Sequence, residues 1–360
     1  MSVSKITKAN AFSGTLREFK SSALSGALSY AHLSGVDRLV SRRYAGMGSI
    51  LMFHSVVKDI SGQLGQSIHV QEDVLRGMVR HLQSTGRDIV TLDEALQRLK
   101  VTGSHDFVVL TFDDGYRNNL TNALPILEEL GAPFTVYVNS YMVNGQGDVW
   151  WLGLRDLLLE QDRVEIEPMG LAFATRCFDE KCKALLLITD WVHRDIVGHS
   201  KLLKRILSKY GIDMEGIARE EALNLEELKR LSQHELVTIG GHAETHLPLN
   251  ALKEADAIGE IVRNKQMLES VIQREVKHFA YPFGGRNSAG AREACLVQNA
   301  GFVTAVTTLM GNLFREHASL PFTLPRLTVL NHDRNAHLAA KLAGVEKILR
   351  HPFDPLVSTF

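Results

Sequence analysis

Asp113 and Asp114 are adjacent carboxylates at the end of an apolar run that begins at Phe107. Two such groups repel unless a cation lies between them or one takes a proton. The Gly115 that follows also permits a plainer reading, a turn capping the next helix. His242 and His246 lie four residues apart, directly after Gly240-Gly241. On a helical turn that spacing brings both imidazoles to one side, as in other His-x-x-x-His metal sites. Two imidazoles and a carboxylate make a known catalytic zinc set with an open position for water. One aspartate can then bind the metal while the other accepts a proton. Such a metal lowers the pKa of bound water to about 7 and polarises a carbonyl, so the expected chemistry is hydrolytic attack on a carbonyl carbon. An acid for the leaving group is still needed, and His54, at the end of the run Ser49–Phe53, has suitable chemistry; its plain alternative is a buried core histidine.

The elements that must position these residues follow from local pattern. Phe107–Leu110 is continuously apolar, as is a strand of a parallel sheet buried on both faces. Further strands are expected at 49–53, 88–92, 133–138, 236–241, 276–281, 302–306 and 322–330, with helices at 72–84, 93–99, 122–130, 254–273, 289–299 and 336–349. This alternation indicates βαβ units around a parallel sheet. It breaks near residue 145, and residues 151 to 235 read as a largely helical insertion with a small hairpin near 163–175. In α/β barrels the chemistry sits at strand ends, and insertions in the loops there shape the pocket. Residues 1–46 read as a basic amphipathic helical extension carrying Lys5, Lys8, Arg17, Lys20, Arg38, Arg42 and Arg43. Such a stretch either packs on its own domain or lies on an anionic membrane surface. The expected organisation is an extension at 1–46, a barrel at 47–335 and a C-terminal helix and tail at 336–360.

Three segments taken in order, Thr111-Phe-Asp-Asp-Gly115, His242-Ala-Glu-Thr-His246 and Phe279-Ala-Tyr-Pro-Phe-Gly284, resemble the first three motifs of the polysaccharide deacetylase family with the NodB homology domain, carbohydrate esterase family 4. The resemblance covers roughly residues 48–145 and 225–330. It implies an α/β fold, a distorted (β/α)7 TIM-like barrel, and metal-dependent removal of N-acetyl groups from sugars. It implies Asp113 as base and Asp114, His242 and His246 as ligands of a divalent metal, zinc first. The backbone at Tyr281 would help hold the oxyanion, and aromatic residues, with Phe283 and Tyr116 among them, would wall the groove. Trp150 and Trp151 would stack on sugar faces. The arginine that the family carries inside its third motif is replaced here by Ala280, and Arg326 is the expected substitute partner of Asp113. The family's late Leu-x-His motif is absent. Phe53-His54 instead resembles the Tyr-His pair of the poly-N-acetylglucosamine deacetylases, which makes His54 the expected acid, with His317, His332 or Asp113 itself as alternatives.

Composition narrows the classes. Net charge is −1 at 45% hydrophobic and 22% charged residues, so there is no global basic field for nucleic acid. No apolar run is long enough for a membrane span, no signal-peptide core follows the N-terminus, and three cysteines cannot all pair within the chain. These features lead to the expectation of a cytoplasmic enzyme, peripheral to the inner face of the membrane if the extension binds there. Its substrate would be an N-acetylated sugar or glycolipid in a surface-polysaccharide or lipopolysaccharide precursor. The alternatives are an amidohydrolase on a formamide or other non-sugar amide, and an inactive carbohydrate-binding protein.

Overall fold

Seven parallel strands close into a barrel in the structure, a computed structural model that describes residues 23–65, 68–101, 106–147 and 149–360. The strands are, in chain order, β1 (Gly48–Phe53), β2 (Ser55–Val57), β3 (His69–Gln71), β4 (Asp88–Ile89), β5 (Phe107–Phe112), β6 (Phe134–Val138), β7 (Arg163–Ile166), β8 (Leu171–Ala174), β9 (Val237–Gly241), β10 (His278–Ala280), β11 (Thr304–Met310) and β12 (Leu324–Thr328). Around the barrel the order is β1, β12, β11, β10, β9, β6, β5, and β5 returns to β1 with Gly48 opposite Phe107 and Phe53 opposite Phe112. The short β4 pairs only with the first two residues of β5. The fold is thus the (β/α)7 barrel expected from the strand–helix alternation and the resemblance.

Side chains alternate along a strand, and here the two faces have different fates. Ile50, Phe107, Val109, Tyr137, Val306 and Leu324 pack together inside the barrel. Leu51, Phe53, Val108, Leu110 and Phe112 pack outward into the larger core under the helices. Period two therefore sends Thr111 and Asp113 to the inner side, continuing the row of Phe107 and Val109. It sends Arg326 inward on the row of Leu324.

Some boundaries differ from expectation. The strand expected at 88–92 stops at Ile89 because Thr91 caps the next helix, its Oγ1 accepting from the Glu94 N–H at 3.2 Å. The final helix divides into Asn335–Leu342 and Val345–Arg350 at Gly344, whose φ of 86° belongs to the left-handed region. A Cβ there would stand 2.4 Å from that of Tyr44, so the break is where the N-terminal extension lies against the barrel. Leu28 and Ala31 of the extension join Ala340, Ala343 and Val345 in a small core. Tyr30, Leu33 and Leu39 remain exposed, while Lys5, Lys8, Arg17 and Lys20 lie outside the described residues. No described helix is long and apolar enough to cross a membrane.

The insertion folds as its own layer. Helices Trp150–Glu160, Phe178–Arg194, Ile196–Lys209 and Met214–Glu221 pack together with the antiparallel β7–β8 hairpin. Leu154, Leu157, Ile188, Val192, Leu203 and Leu207 form the core of this layer. The helix Leu225–Ser232, expected in the insertion, instead packs on the barrel, where Leu228 and Leu231 join its outer core. β2 and β3 pair in parallel beside the barrel mouth and carry the loop between them toward this layer.

One close approach bears on the site. A Cβ on Gly240 would lie 2.4 Å from the Tyr137 ring and 2.9 Å from the His278 carbonyl oxygen. Gly240→Ala should therefore lower stability by about 1–3 kcal/mol through overpacking, read as a lower urea midpoint with an unchanged slope. An unshifted midpoint would show that β9 can move away.

Candidate active site

The first carboxylate is held from below. Arg326, fully buried, donates from Nη1 and Nη2 to the two carboxylate oxygens of Asp113, both at 2.7 Å. Its Nε–H donates to the Thr307 carbonyl at 2.8 Å, and Nη1 also reaches Thr111 Oγ1 at 3.3 Å. Burial by itself would raise the Asp113 carboxyl; the Arg326 charge and its hydrogen bonds outweigh that and hold it below its ordinary value. A fork-on-fork pair of this kind fixes orientation as well as charge.

The second carboxylate turns elsewhere. Asp114 has φ 75°, which swings it off the strand direction. Its Oδ1 has no hydrogen-bond partner and lies 3.4 Å from His242 Nε2 and 3.3 Å from His246 Nε2. Burial penalises the Asp114 charge, but the two imidazoles more than offset it and keep the carboxyl well below the usual carboxylate range. His242 Nδ1 donates to the Ala280 carbonyl at 2.7 Å, since a carbonyl can only accept. In the neutral ring Nε2 is then a bare lone pair aimed at Asp114. The ligand atoms of Asp114, His242 and His246 all lie within 4.8 Å of one another. An orphaned carboxylate oxygen and an imidazole locked in the ligating tautomer are what a divalent cation requires, so these residues fit one.

The two histidines do not meet on a helical turn. Ala243 and His246 both have φ 59°, and the segment between them is a loop. Glu260, on the helix Glu254–Ile272, pins it by accepting from the N–H groups of Glu244 at 3.0 Å and Thr245 at 2.7 Å. Asn264 on the same helix accepts from the His242 N–H at 3.0 Å and donates to the Val138 carbonyl at 3.0 Å. Asp114, Ala243, His246 and Phe283 are all non-glycine residues in the left-handed region, each costing of order 1–3 kcal/mol that the surroundings must hold in place.

Above these groups lies a chamber of about 550 Å³. His54, Asp113, Asp114, Trp150, Trp151, His242, His246, Tyr281 and Phe283 all line it. His54 follows Phe53, whose carbonyl accepts from the Asp113 N–H at 3.0 Å and whose ring stacks on Phe112 at 5.0 Å. That places His54 beside the diacid. The rings of Trp151 and Phe283 close on His246 at 5.2 and 4.9 Å.

Four expectations need correcting. Tyr116 is fully buried and does not reach the chamber; its hydroxyl accepts from Trp151 Nε1–H at 2.9 Å, so it supports the tryptophan from behind. The Tyr281 N–H donates to the Val306 carbonyl at 3.2 Å and its hydroxyl to the Phe322 carbonyl at 3.0 Å, which leaves its backbone donor committed to the barrel. His317 is buried away from the chamber, where its Nδ1 accepts from the Phe314 N–H at 2.9 Å. His332 is exposed and also outside the chamber.

The chamber also holds residues that local pattern does not flag. His69 on β3 is buried, with Nδ1 2.9 Å from Ser55 Oγ and Nε2 without a partner. Burial, with the charges of Arg155 and His54, pushes it down to about 4, so it is neutral near pH 7. Arg155 is paired with Asp156 at 2.6 Å and Glu221 at 2.8 Å. His193 comes from the insertion, its ring 5.9 Å from those of Trp150 and Phe283. No spacing rule could have joined these to the diacid, because they come from separate segments.

A barrel with this acid–imidazole cluster at its mouth defines a class, and comparison with known proteins gives the same class. The family model for polysaccharide deacetylase matches residues 100–295, more than half of the chain. This protein belongs to the polysaccharide deacetylase family. YxkH of Bacillus subtilis strain 168 is 21% identical over 269 residues, covering 74% of this chain and 66% of that protein. Among solved structures, the Streptococcus pyogenes deacetylase PplD in complex with acetate superposes with a TM-score of 0.55 at 16% identity, covering 82% of this chain and 97% of that one. IcaB from Ammonifex degensii gives 0.53 at 16% identity, covering 83% and 97%. At such identities these superpositions establish the shared barrel.

Removing the arginine should expose the cost of the Asp113 charge. Arg326→Met is expected to lose about 3–5 kcal/mol at pH 7, because a buried carboxylate is left unpaired. The wild-type pair, with Asp113 depressed, contributes fully above the unfolded carboxyl pKa near ~4 and is lost as pH falls through the folded value. In the variant, burial raises Asp113, so its penalty disappears on acidification and the gap between the two proteins should narrow toward pH 4. Urea unfolding at both pH values measures it, and a pH-independent gap would contradict the pairing.

Proposed function

We propose that this protein removes N-acetyl groups from an amino sugar by metal-dependent hydrolysis. The observation that carries the reading is the split of the diacid: Asp113 locked to Arg326, and its neighbour Asp114 turned to two imidazoles at the floor of the chamber. A divalent cation held by Asp114, His242 and His246, zinc being the first choice for two imidazoles and a carboxylate, would supply the positive charge that acidifies water and polarises the amide carbonyl.

The remaining roles belong to the chain's own side chains. Asp113 takes the proton of the attacking water, and Arg326 keeps its carboxylate charged and oriented for that purpose. His54, beside the diacid in the same chamber, delivers a proton to the departing amine nitrogen. With Tyr281 committed, the main-chain donor for the oxyanion passes to Phe283, a residue of the chamber lining that packs on His246. Trp151, held by Tyr116, is the ring offered to the C–H face of a sugar; Trp150, 5% exposed and at 86° to it, packs in the core of the insertion.

Acetate release from N-acetylated hexosamine oligomers, measured beside formate release from N-formyl analogues, tests the reading. His54→Asn should lower kcat about 10²–10⁴-fold with little change in KM, the range for losing one proton-transfer group. Asp113→Asn should do the same. Formate without acetate would move the substrate to another amide, and full activity in His54→Asn would remove that histidine from the mechanism.

A further inference from the structure

The chamber has two unlike halves. Its floor is the acid–imidazole cluster, but its upper wall comes from outside the barrel. The helix Phe178–Arg194 turns one face into it through Phe178, Cys182, Leu185 and Leu186, at the helical spacing that aligns side chains. Leu64 and Ile68, from the loop between β2 and β3, face the same space. This loop reaches the helix: a Cβ on Gly65 would lie 3.9 Å from Leu185. The apolar wall continues to the opening, where Phe178 is 43% and Leu186 37% exposed. These exposed side chains extend the apolar lining of the chamber to solvent, where a hydrocarbon chain would remove them from water.

We propose that the substrate is amphiphilic: an N-acetylated sugar whose hydrocarbon chain lies along this wall. The proposal rests on the deacetylase reading and names its substrate class. The same chamber is lined by the carboxylates at one end and by Phe178, Leu185 and Leu186 at the other, so one molecule with its amide on the floor can reach the apolar wall. The chain is carried on the sugar and not on the amide. Trp151 and Phe283 both pack against His246, so the floor is walled by rings, while the long apolar face lies farther up on the insertion helix. Arg155, the strongest cation in the wall, already holds two carboxylates, so the wall offers little to a polyanionic polymer.

Methyl, butyl and octyl glycosides of N-acetylglucosamine test this, with calorimetric affinity and acetate release measured separately for each. Affinity should rise about two- to four-fold per methylene until the wall is covered, the range expected for burying methylene groups. Leu186→Glu, which puts a carboxylate at an exposed point of the wall, should abolish the gain with chain length. Affinity independent of chain length, or a gain that survives in Leu186→Glu with an unchanged melting temperature, overturns the proposal. N-octanoyl methyl glycoside binding better than the N-acetyl octyl compound overturns the placement of the chain. Octyl binding with no acetate released from any compound leaves the apolar subsite standing and sinks the deacetylase reading. Acetate released from all three with the same affinity for each does the reverse.

Discussion

Two negative charges on consecutive residues, both withdrawn from water, repel each other and each loses its hydration. Asp113 and Asp114 are in that position, at 3% and 4% exposure. The chain answers each charge differently. Asp113 follows the inward row of β5 and meets an arginine from β12, the strand on the other side of β1. Asp114 leaves the strand through a left-handed turn and meets two imidazoles from the loop after β9. Each solution depends on closure of the barrel, because β12, β5 and β9 are far apart in sequence. The ion pair would be expensive if either partner were missing, and that constraint ties site geometry to fold stability.

Much of this layout is legible in the sequence because it is short-range. An apolar run ending in two carboxylates, and two histidines after a pair of glycines, are local signals. Arg326 is legible in two ways: as a charge within an otherwise apolar Leu-Pro-Arg-Leu strand, and as a substitute for the arginine missing where Ala280 stands. Tyr116 misleads, because adjacency to the diacid suggests a shared face. The left-handed turns at Asp114 and Gly115 send it beneath Trp151 instead. The backbone at Tyr281 misleads for a related reason, since a sequence does not reveal that Val306 has taken its N–H.

The insertion shows the limit most clearly. Helical periodicity from Phe178 to His193 identifies a face, but not what it looks toward. Only the packing of that helix against the β2–β3 loop and over the barrel mouth turns the face into a wall of the chamber. The barrel thus holds the acid–imidazole cluster, and the insertion adds apolar surface to the chamber above it. An added layer of this kind can vary without disturbing the strands that hold the cluster.

The central claim is that the protein neutralises Asp113 itself and leaves Asp114 for a cation. Metal content of the purified chain, after zinc is offered and excess removed, measures this without needing the right sugar. The account predicts about one ion per chain in the wild type and in Asp113→Asn, and none in Asp114→Ala, the behaviour of a three-ligand site. A wild type that takes up no metal, or an Asp114→Ala protein that keeps it, would contradict the account.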